Sequence, residues 1–349
     1  AFPLPGIDDM INELAKYKIF STFDLRSAYH QIPIRRSERK FTAFEANGRL
    51  YEFLRIPFGV KNGVAVFQRK IAQFCKEEGL KDTFPYLDNV TVGGRTKSEH
   101  DKNVKPFLDA ARKRNFTLND SKSVVAVSNV HILGLGYVVG NNFVKPDPER
   151  MRPLKEFPPP ADLRSLRRVL GMFAYYAKWI YRFADKIRPL ATSKAFSLRK
   201  EALDAFNLLK GELEKAALSS IDEFIPFVVE CDASDIAVSA TLNQGGRPVA
   251  FMSRTLQGSE VHYPAFEKEA TAVIEAIRKW SHLLARKTFT LITDQKSVAF
   301  YDSRRRSKIK NNKVQQWCME LASFSYVIKY RPGQQNTGPD SLTRAFSST

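Results

Sequence analysis

Short apolar runs that end in a carboxylate mark the last third of the chain. Residues 226–232, Pro-Phe-Val-Val-Glu-Cys-Asp, are of strand length and predict a buried strand ending at Asp232. A second such run, residues 289–294, ends at Asp294. Between them, Ala272, Val273, Ala276, Ile277, Trp280, Leu283 and Leu284 recur at helical spacing counted from Glu269. That period predicts an amphipathic helix whose inward stripe begins at Glu269, while Glu267 and Glu275 project away from it.

The first half carries comparable signals. Residues 7–17 read as a helix with Ile7, Met10, Ile11 and Leu14 on one stripe, and residues 19–25 alternate as a strand. Residues 84–93 read as a hairpin with Asp88 and Asn89 at its tip, followed by a helical pattern over 97–115. A strand-rich stretch ends near Val144, and two proline punctuations follow, at 145–148 and 157–160. Helices dominate 163–217, and a boundary falls at 218–224. The division expected is 1–145, 146–218 and 219–349, within an α+β fold class. No internal repeat or low-complexity tract interrupts it.

A chain of 349 residues is long enough for two or three domains with real cores. No uninterrupted apolar run reaches the ~18 residues of a membrane helix, so no membrane partner is expected. The opening residues have neither an initiator Met nor a basic leader and read as a fragment or processed product. Cys75, Cys231 and Cys318 lie far apart in apolar contexts, with no metal spacing and no disulfide framework, which suits a reducing compartment. The 55 Lys and Arg against 37 Asp and Glu leave a net charge of +18, which favours a polyanionic partner. Part of the excess is clustered. Arg304, Arg305, Arg306, Lys308 and Lys310 form one run. Arg164, Arg167 and Arg168 share a helix face just before Tyr175, Tyr176 and Trp179.

Burying a carboxylate without compensation is costly, so Asp232, Glu269, Asp294 and Asp340 on a strand–helix–strand frame suggest bound divalent metal. Taken singly, Asp232 also suits a turn and Asp340 a helix cap. Their order and context together resemble the RNase H module of gypsy-type LTR retrotransposon polyproteins. The matching stretches are Glu-Cys-Asp-Ala-Ser-Asp at 230–235, Glu-Lys-Glu-Ala at 267–270, Leu-Ile-Thr-Asp at 291–294, and Asn-Thr-Gly-Pro-Asp-Ser-Leu-Thr-Arg at 336–344. The family usually lacks the proline at Pro339. The resemblance implies a mixed five-stranded α/β domain whose four carboxylates hold two Mg²⁺ or Mn²⁺ ions and cleave the RNA strand of RNA–DNA hybrids.

Asp24 ends the strand Phe-Ser-Thr-Phe-Asp, and Asp88 sits in the hairpin. Two aspartates on adjacent strands can hold two metal ions against a nucleoside triphosphate. Phe-Asp-Leu-Arg-Ser-Ala-Tyr-His-Gln-Ile at 23–32, Ile-Pro-Phe-Gly-Val-Lys-Asn at 56–62 and Tyr-Leu-Asp-Asn at 86–89 resemble a reverse transcriptase palm, again of gypsy type. The helical stretch 163–190 resembles the thumb. Asp24 and Asp88 then match the palm metal ligands. Tyr29 matches the gate against a ribose 2′-hydroxyl. Gly59 lies under the incoming nucleotide and Gln68 on the helix behind it. Lys122 matches the lysine that protonates pyrophosphate, and Arg167, Arg168 and Arg305 contact nucleic acid.

The resemblance further implies dNTP and primer–template substrates, and protease and integrase segments in the same polyprotein. It also implies cytoplasmic virus-like particles, or the nucleus, as the place of action. Two departures stand out. Asn89 replaces the second aspartate of the usual Tyr-X-Asp-Asp. The start near Asp24 leaves no upstream Lys and Arg to grip the triphosphate, so polymerase activity is expected to be weak, for the second reason more than the first. The rival from another class is a catalytically silent, domesticated or decayed nucleic-acid-binding protein that keeps the fold and the charge.

Overall fold

The computed structural model describes residues 2–132, 136–293 and 312–331. Two compact units divide the chain after Val144. In the first, α1 (Ile7–Leu14) turns Met10, Ile11 and Leu14 inward and leaves Ile7 at the surface, narrowing the expected stripe. β1 (Ile19–Asp24) runs antiparallel to its neighbours in a four-stranded sheet. The expected alternation fails here, because Ser21, Thr22 and Asp24 are buried along with Phe20 and Phe23. The helix over Lys97–Lys113 packs against β1, and the strand over Asn129–Ile132 also contacts it, so polar positions are enclosed as well.

β2 (Phe44–Ala46) and β3 (Arg49–Tyr51) make a small exposed hairpin. α2 (Gly63–Glu77) then crosses the sheet, burying Phe67, Ile71 and Phe74. β4 (Thr83–Tyr86) and β5 (Asn89–Gly94) pair with Tyr86 opposite Asn89, so the two-residue turn is Leu87 and Asp88. This corrects the expected tip. Asn89 is already in β5, paired across the sheet with Asp24. Leu87 takes the left-handed conformation at φ 52° that such a tight turn demands.

α3 (Lys97–Lys113) starts on the Thr96 cap and buries Val104, Phe107, Ala110 and Ala111 against Phe23, Val90 and Val92. Its approach is so close that any side chain at Gly94 would collide with the His100 backbone. The buried His100 ring lies 2.8 Å from Ser21 Oγ and 3.0 Å from Asp101 Oδ1, tying α3 to β1. β6 (Val124–Val127) completes the order β4-β5-β1-β6. β7 (Asn129–Ile132), β8 (Tyr137–Gly140) and β9 (Phe143–Pro146) follow, with β8 between the other two.

The second unit opens with helices. The first proline punctuation is a helix start that the sequence reading passed over. Asp147 caps α4 (Pro148–Lys155), accepting from the Glu149 N–H at 3.0 Å, with Pro148 in the first turn. α5 (Leu163–Tyr175) begins with a capping box between Asp162 and Ser165. α6 (Phe183–Ala191) and α7 (Lys200–Glu214) pack together, and β10 (Leu218–Ser219) lies against the sheet that follows.

That sheet has β11 (Phe227–Ala233), β12 (Ala237–Gln244) and β13 (Arg247–Thr255) antiparallel. α8 (Ala265–Lys279) and the single turn α9 (Ser281–Leu284) cover it before β14 (Phe289–Thr293) joins β11 in parallel. α10 (Asn312–Leu321) and β15 (Tyr326–Tyr330), parallel to β14, complete the order β13-β12-β11-β14-β15. This is the mixed five-stranded domain expected. Its core joins Val229, Cys231 and Leu291 of the sheet to Val273, Ile277 and Trp280 of the helical layer.

All three cysteines are buried. Burial pushes the Cys75 thiol up to about 12 and Cys231 well above its ordinary value, so both stay protonated at neutral pH. At pH 8 the native protein is expected to react with maleimide far more slowly at all three cysteines than the urea-denatured chain. A native thiol that reacts as fast as in the unfolded state counts against this packing.

Candidate active sites

The first site forms where β1 meets the β4–β5 turn. Asp24 is the last residue of β1 and is buried, and the Leu25 N–H donates to the Asp88 carbonyl at 2.7 Å. Residues 117–123 brace the same strand end. The Asn119 N–H donates to the Asp24 carbonyl at 2.8 Å, and the Asp24 N–H donates to Ser123 Oγ at 3.3 Å. Lys122 lies exposed in that turn. Asp88 is exposed, and its Oδ1 accepts from Asn89 Nδ2 at 3.3 Å. Among the described residues neither carboxylate is paired with a Lys or Arg. A buried carboxylate without a cationic partner is chemically suited to a hard divalent cation.

Gln68 has a different position from that of a ligand-facing side chain. It is fully buried, with Nε2 donating to the Pro85 carbonyl at 2.9 Å and Oε1 accepting from the Leu87 N–H at 2.8 Å. Both ends of the amide hold the turn that presents Asp88. Tyr29 is half-buried between Phe67 and Phe58, with ring centroids at 5.3 and 5.7 Å. Burial, and then the Asp88 charge, raise its phenol above the ordinary value, which places Tyr29 within electrostatic reach of that carboxylate. Gly59 sits at φ +85° with open space around it, so backbone conformation rather than room selects glycine there. It lines a groove of about 1180 Å³ with Arg35, Phe41, Phe58, Arg69 and Lys70.

The second site lies at the end of β11. Asp232 is half-buried, and Glu269 on α8 is 4% exposed. Glu269 Oε1 accepts from the Ala233 N–H at 2.9 Å, which fixes it beside Asp232 as the helical stripe required. Glu267 and Glu275 are engaged elsewhere, by Lys313 at 2.8 Å and by Arg254 and Arg278 at 3.4 and 3.3 Å. Residues 233–237 form the turn that Asp-Ala-Ser-Asp also suggested, with the Ser234 N–H donating to the Ala237 carbonyl at 2.8 Å. β14 pairs with β11 as far as Ile292 and ends at Thr293. Asp294, Asp340 and Arg305 lie outside the described residues. Among those described, no three His, Cys, Asp or Glu side chains form one cluster, so each site is represented by two carboxylates.

The sequence reading missed Arg182 and Asp185. Arg182 Nη1 lies 3.2 Å from Asp232 Oδ2, and Asp185 Oδ1 accepts from the Ser234 hydroxyl at 2.7 Å. A guanidinium therefore stands at one face of Asp232. One signal was available: arginine at a helix N-terminus opposes the helix dipole and needs a carboxylate nearby. On α5, Arg167 and Arg168 are exposed, but Tyr176 and Trp179 belong to the core, which leaves Tyr175 as the exposed aromatic of the three.

A helix-backed antiparallel sheet followed by a helical segment and this mixed sheet is the arrangement of a reverse transcriptase joined to an RNase H-like domain. Residues 1–137 match the family described as reverse transcriptase (RNA-dependent DNA polymerase), and residues 223–324 match the RNase H-like domain found in reverse transcriptase. The chain is 33% identical to the retrovirus-related Pol polyprotein from transposon opus of Drosophila melanogaster, over 98% of this chain and 36% of that protein. Identity to the Pol polyprotein from transposon gypsy of the same organism is 30%, over 98% and 34%. The chain thus spans about a third of the length of these relatives. The foamy viral protease–reverse transcriptase solved in complex with double-stranded DNA shares the fold at a TM-score of 0.79 and 20% identity, covering 95% of this chain and 72% of that one. The same viral protein in complex with an RNA/DNA hybrid gives 0.76 and 20%, over 97% and 46%. The chain belongs to the Pol polyproteins of gypsy-like transposons, as their reverse transcriptase and RNase H-like segment.

Replacing Gln68 by Ala removes both hydrogen bonds that hold the Leu87–Asp88 turn and leaves a buried N–H unpaired. The expected loss is about 1–3 kcal/mol in urea unfolding. Equal stability for Gln68→Ala and the parent would show that the turn does not depend on the clamp.

Proposed function

We propose that the chain is an RNA-directed DNA polymerase joined to a ribonuclease H that cleaves the RNA strand of RNA–DNA hybrids. The supporting observation is the paired carboxylates at two strand ends, Asp24 with Asp88 and Asp232 with Glu269. The division that serves this is palm over 1–145, helical thumb over 146–218 and nuclease over 219–349. Each site would hold two Mg²⁺ or Mn²⁺ ions. Asp24 and Asp88 are the ligands in the palm; Asp232 and Glu269, joined by Asp294 and Asp340 on resemblance, are those in the nuclease. Bound there, the ions would activate the attacking oxygen and neutralise phosphoryl charge.

The chain's own residues set the geometry. Gln68 fixes the Asp88 turn, and residues 117–123 brace Asp24 and carry Lys122 beside the site. Tyr29 and Gly59 bound the side where a nucleotide sugar would lie. Arg167 and Arg168, exposed on α5, and Arg305 would contact the backbone of primer–template or hybrid, where recognition is by shape and charge. Because the relatives are much longer polyproteins, protease and integrase segments are the expected companions. Cytoplasmic virus-like particles, with the nucleus as alternative, are the expected place, which suits three buried cysteines outside any disulfide.

One observation favours the silent nucleic-acid-binding reading for the polymerase half. Asn89 stands where the family carries an aspartate, and its amide restrains Asp88. Separate assays decide. Asp232→Asn or Glu269→Gln is expected to lower hybrid cleavage on the order of a hundredfold or more, with primer extension unaffected. Asp24→Asn is expected to do the reverse. Cleavage that persists in both nuclease variants, or in excess EDTA, removes the assignment.

Binding of an uncleavable hybrid is expected to weaken roughly tenfold or more between about 50 and about 200 mM salt, in the parent and in Asp232→Asn alike. An affinity independent of salt would separate the +18 charge from binding.

A further inference from the structure

Arg182 begins α6 in the left-handed region, at φ 51° and ψ 40°, a conformation unusual for a side chain of its size. It also places a permanent positive charge at the wrong end of a helix. Both penalties are offset by carboxylates. Arg182 Nε lies 3.1 Å from Asp185 Oδ2, and Nη1 lies 3.2 Å from Asp232 Oδ2. The rest of the turn is fastened to the same domain. Asp185 accepts from the Ser234 hydroxyl at 2.7 Å, the Ala184 N–H donates to Ser253 Oγ at 3.0 Å, and the Tyr181 ring lies 6.0 Å from Phe251. Residues 181–185 therefore reach two strands of the nuclease sheet, β11 and β13, and the turn that follows β11, where the proposed metal ligands stand.

We propose that Arg182 is a positioning residue of the nuclease site, sharing Asp232 with the divalent ion and thereby setting how tightly that ion is held. The inference rests on the nuclease reading above. Although burial lowers the Arg182 pKa, the Asp232 and Asp185 carboxylates hold it above its ordinary value, so the group stays charged. Without metal the guanidinium neutralises Asp232 next to the buried Glu269. With metal it faces a second cation on the same carboxylate and has Asp185 as its remaining anchor. Its effect is thus to weaken metal binding while keeping the ligand in place. Arg182 is 37% exposed and Asp232 20%, so the repulsion is partly screened and modest in size.

Calorimetric titration with Mn²⁺ tests this in the full chain, with Asp24→Asn and Asp88→Asn in every sample to silence the palm. On that background Arg182→Gln is expected to tighten binding at the nuclease site roughly three- to tenfold. Arg182→Lys, which keeps the charge, is expected to stay within about twofold of the background. Thermal unfolding checks that each variant folds. Should Arg182→Gln not fold, Arg182→Met carries the same expectation. Unchanged or weaker binding in the neutral variants overturns the proposal, as does equal tightening by Lys and Gln. Those results leave the nuclease site itself standing. Asp232→Asn is expected to lose the nuclease-site ion. If it binds Mn²⁺ as tightly as the background, the nuclease reading fails and the proposal fails with it.

Discussion

A carboxylate meant to meet a cation has to stand partly out of water without drifting away from its neighbours. Both sites meet that constraint in the same way, with the last turn of hydrogen-bonded strand doing the holding. β1 is buried from Phe20 onward before it delivers Asp24, and β11 carries the buried Val229 and Cys231 before Asp232. The partner carboxylate then comes from a different element, a two-residue turn in the first case and a helix in the second. Sheet registry fixes one member of each pair, and a single polar group fixes the other. The Gln68 amide orders the turn of Asp88, and the Ala233 N–H holds Glu269.

What could be read from the sequence was what repeats locally. The runs ending at Asp24 and Asp232, the stripe headed by Glu269 and the mixed five-stranded sheet implied by resemblance all appear in the structure. Period-two and period-3.6 patterns record burial on one side of an element. They fail where an element is enclosed on both sides, as β1 is, with Ser21 and Thr22 on opposite faces and both buried. The hairpin was placed one residue too late because Asp-Asn is a strong turn signal by composition. Pairing of Asn89 with Asp24 outweighs that preference. Asp147 followed by Pro148 was legible as a helix start and was passed over in favour of a simple break.

The remaining features depend on residues far apart in the chain. Gln68 meets Leu87 across 19 positions, and Asp185 meets Ser234 across 49. No periodicity encodes such a contact. What the sequence does hold is a local rule broken without local reason. Arg182 is a cation where a helix prefers an anion. Gln68 is a polar residue in the middle of an apolar stripe. Each is compensated by a distant partner, and both lie within reach of a candidate site. His100 is a third case, enclosed by the fold and linked to Ser21 on the strand that ends at Asp24.

The contacts between residues 181–185 and the nuclease sheet also bear on how such elements can exchange parts. By sequence the natural seam lies near residue 218, and a crossover there would transfer the nuclease as an intact block. The structure puts an arginine upstream of that seam onto an aspartate downstream of it. A recombinant joined at 218 would inherit Asp232 from one parent and the residue facing it from the other. The heritable unit is therefore longer than the block downstream of that seam, and it begins before residue 181.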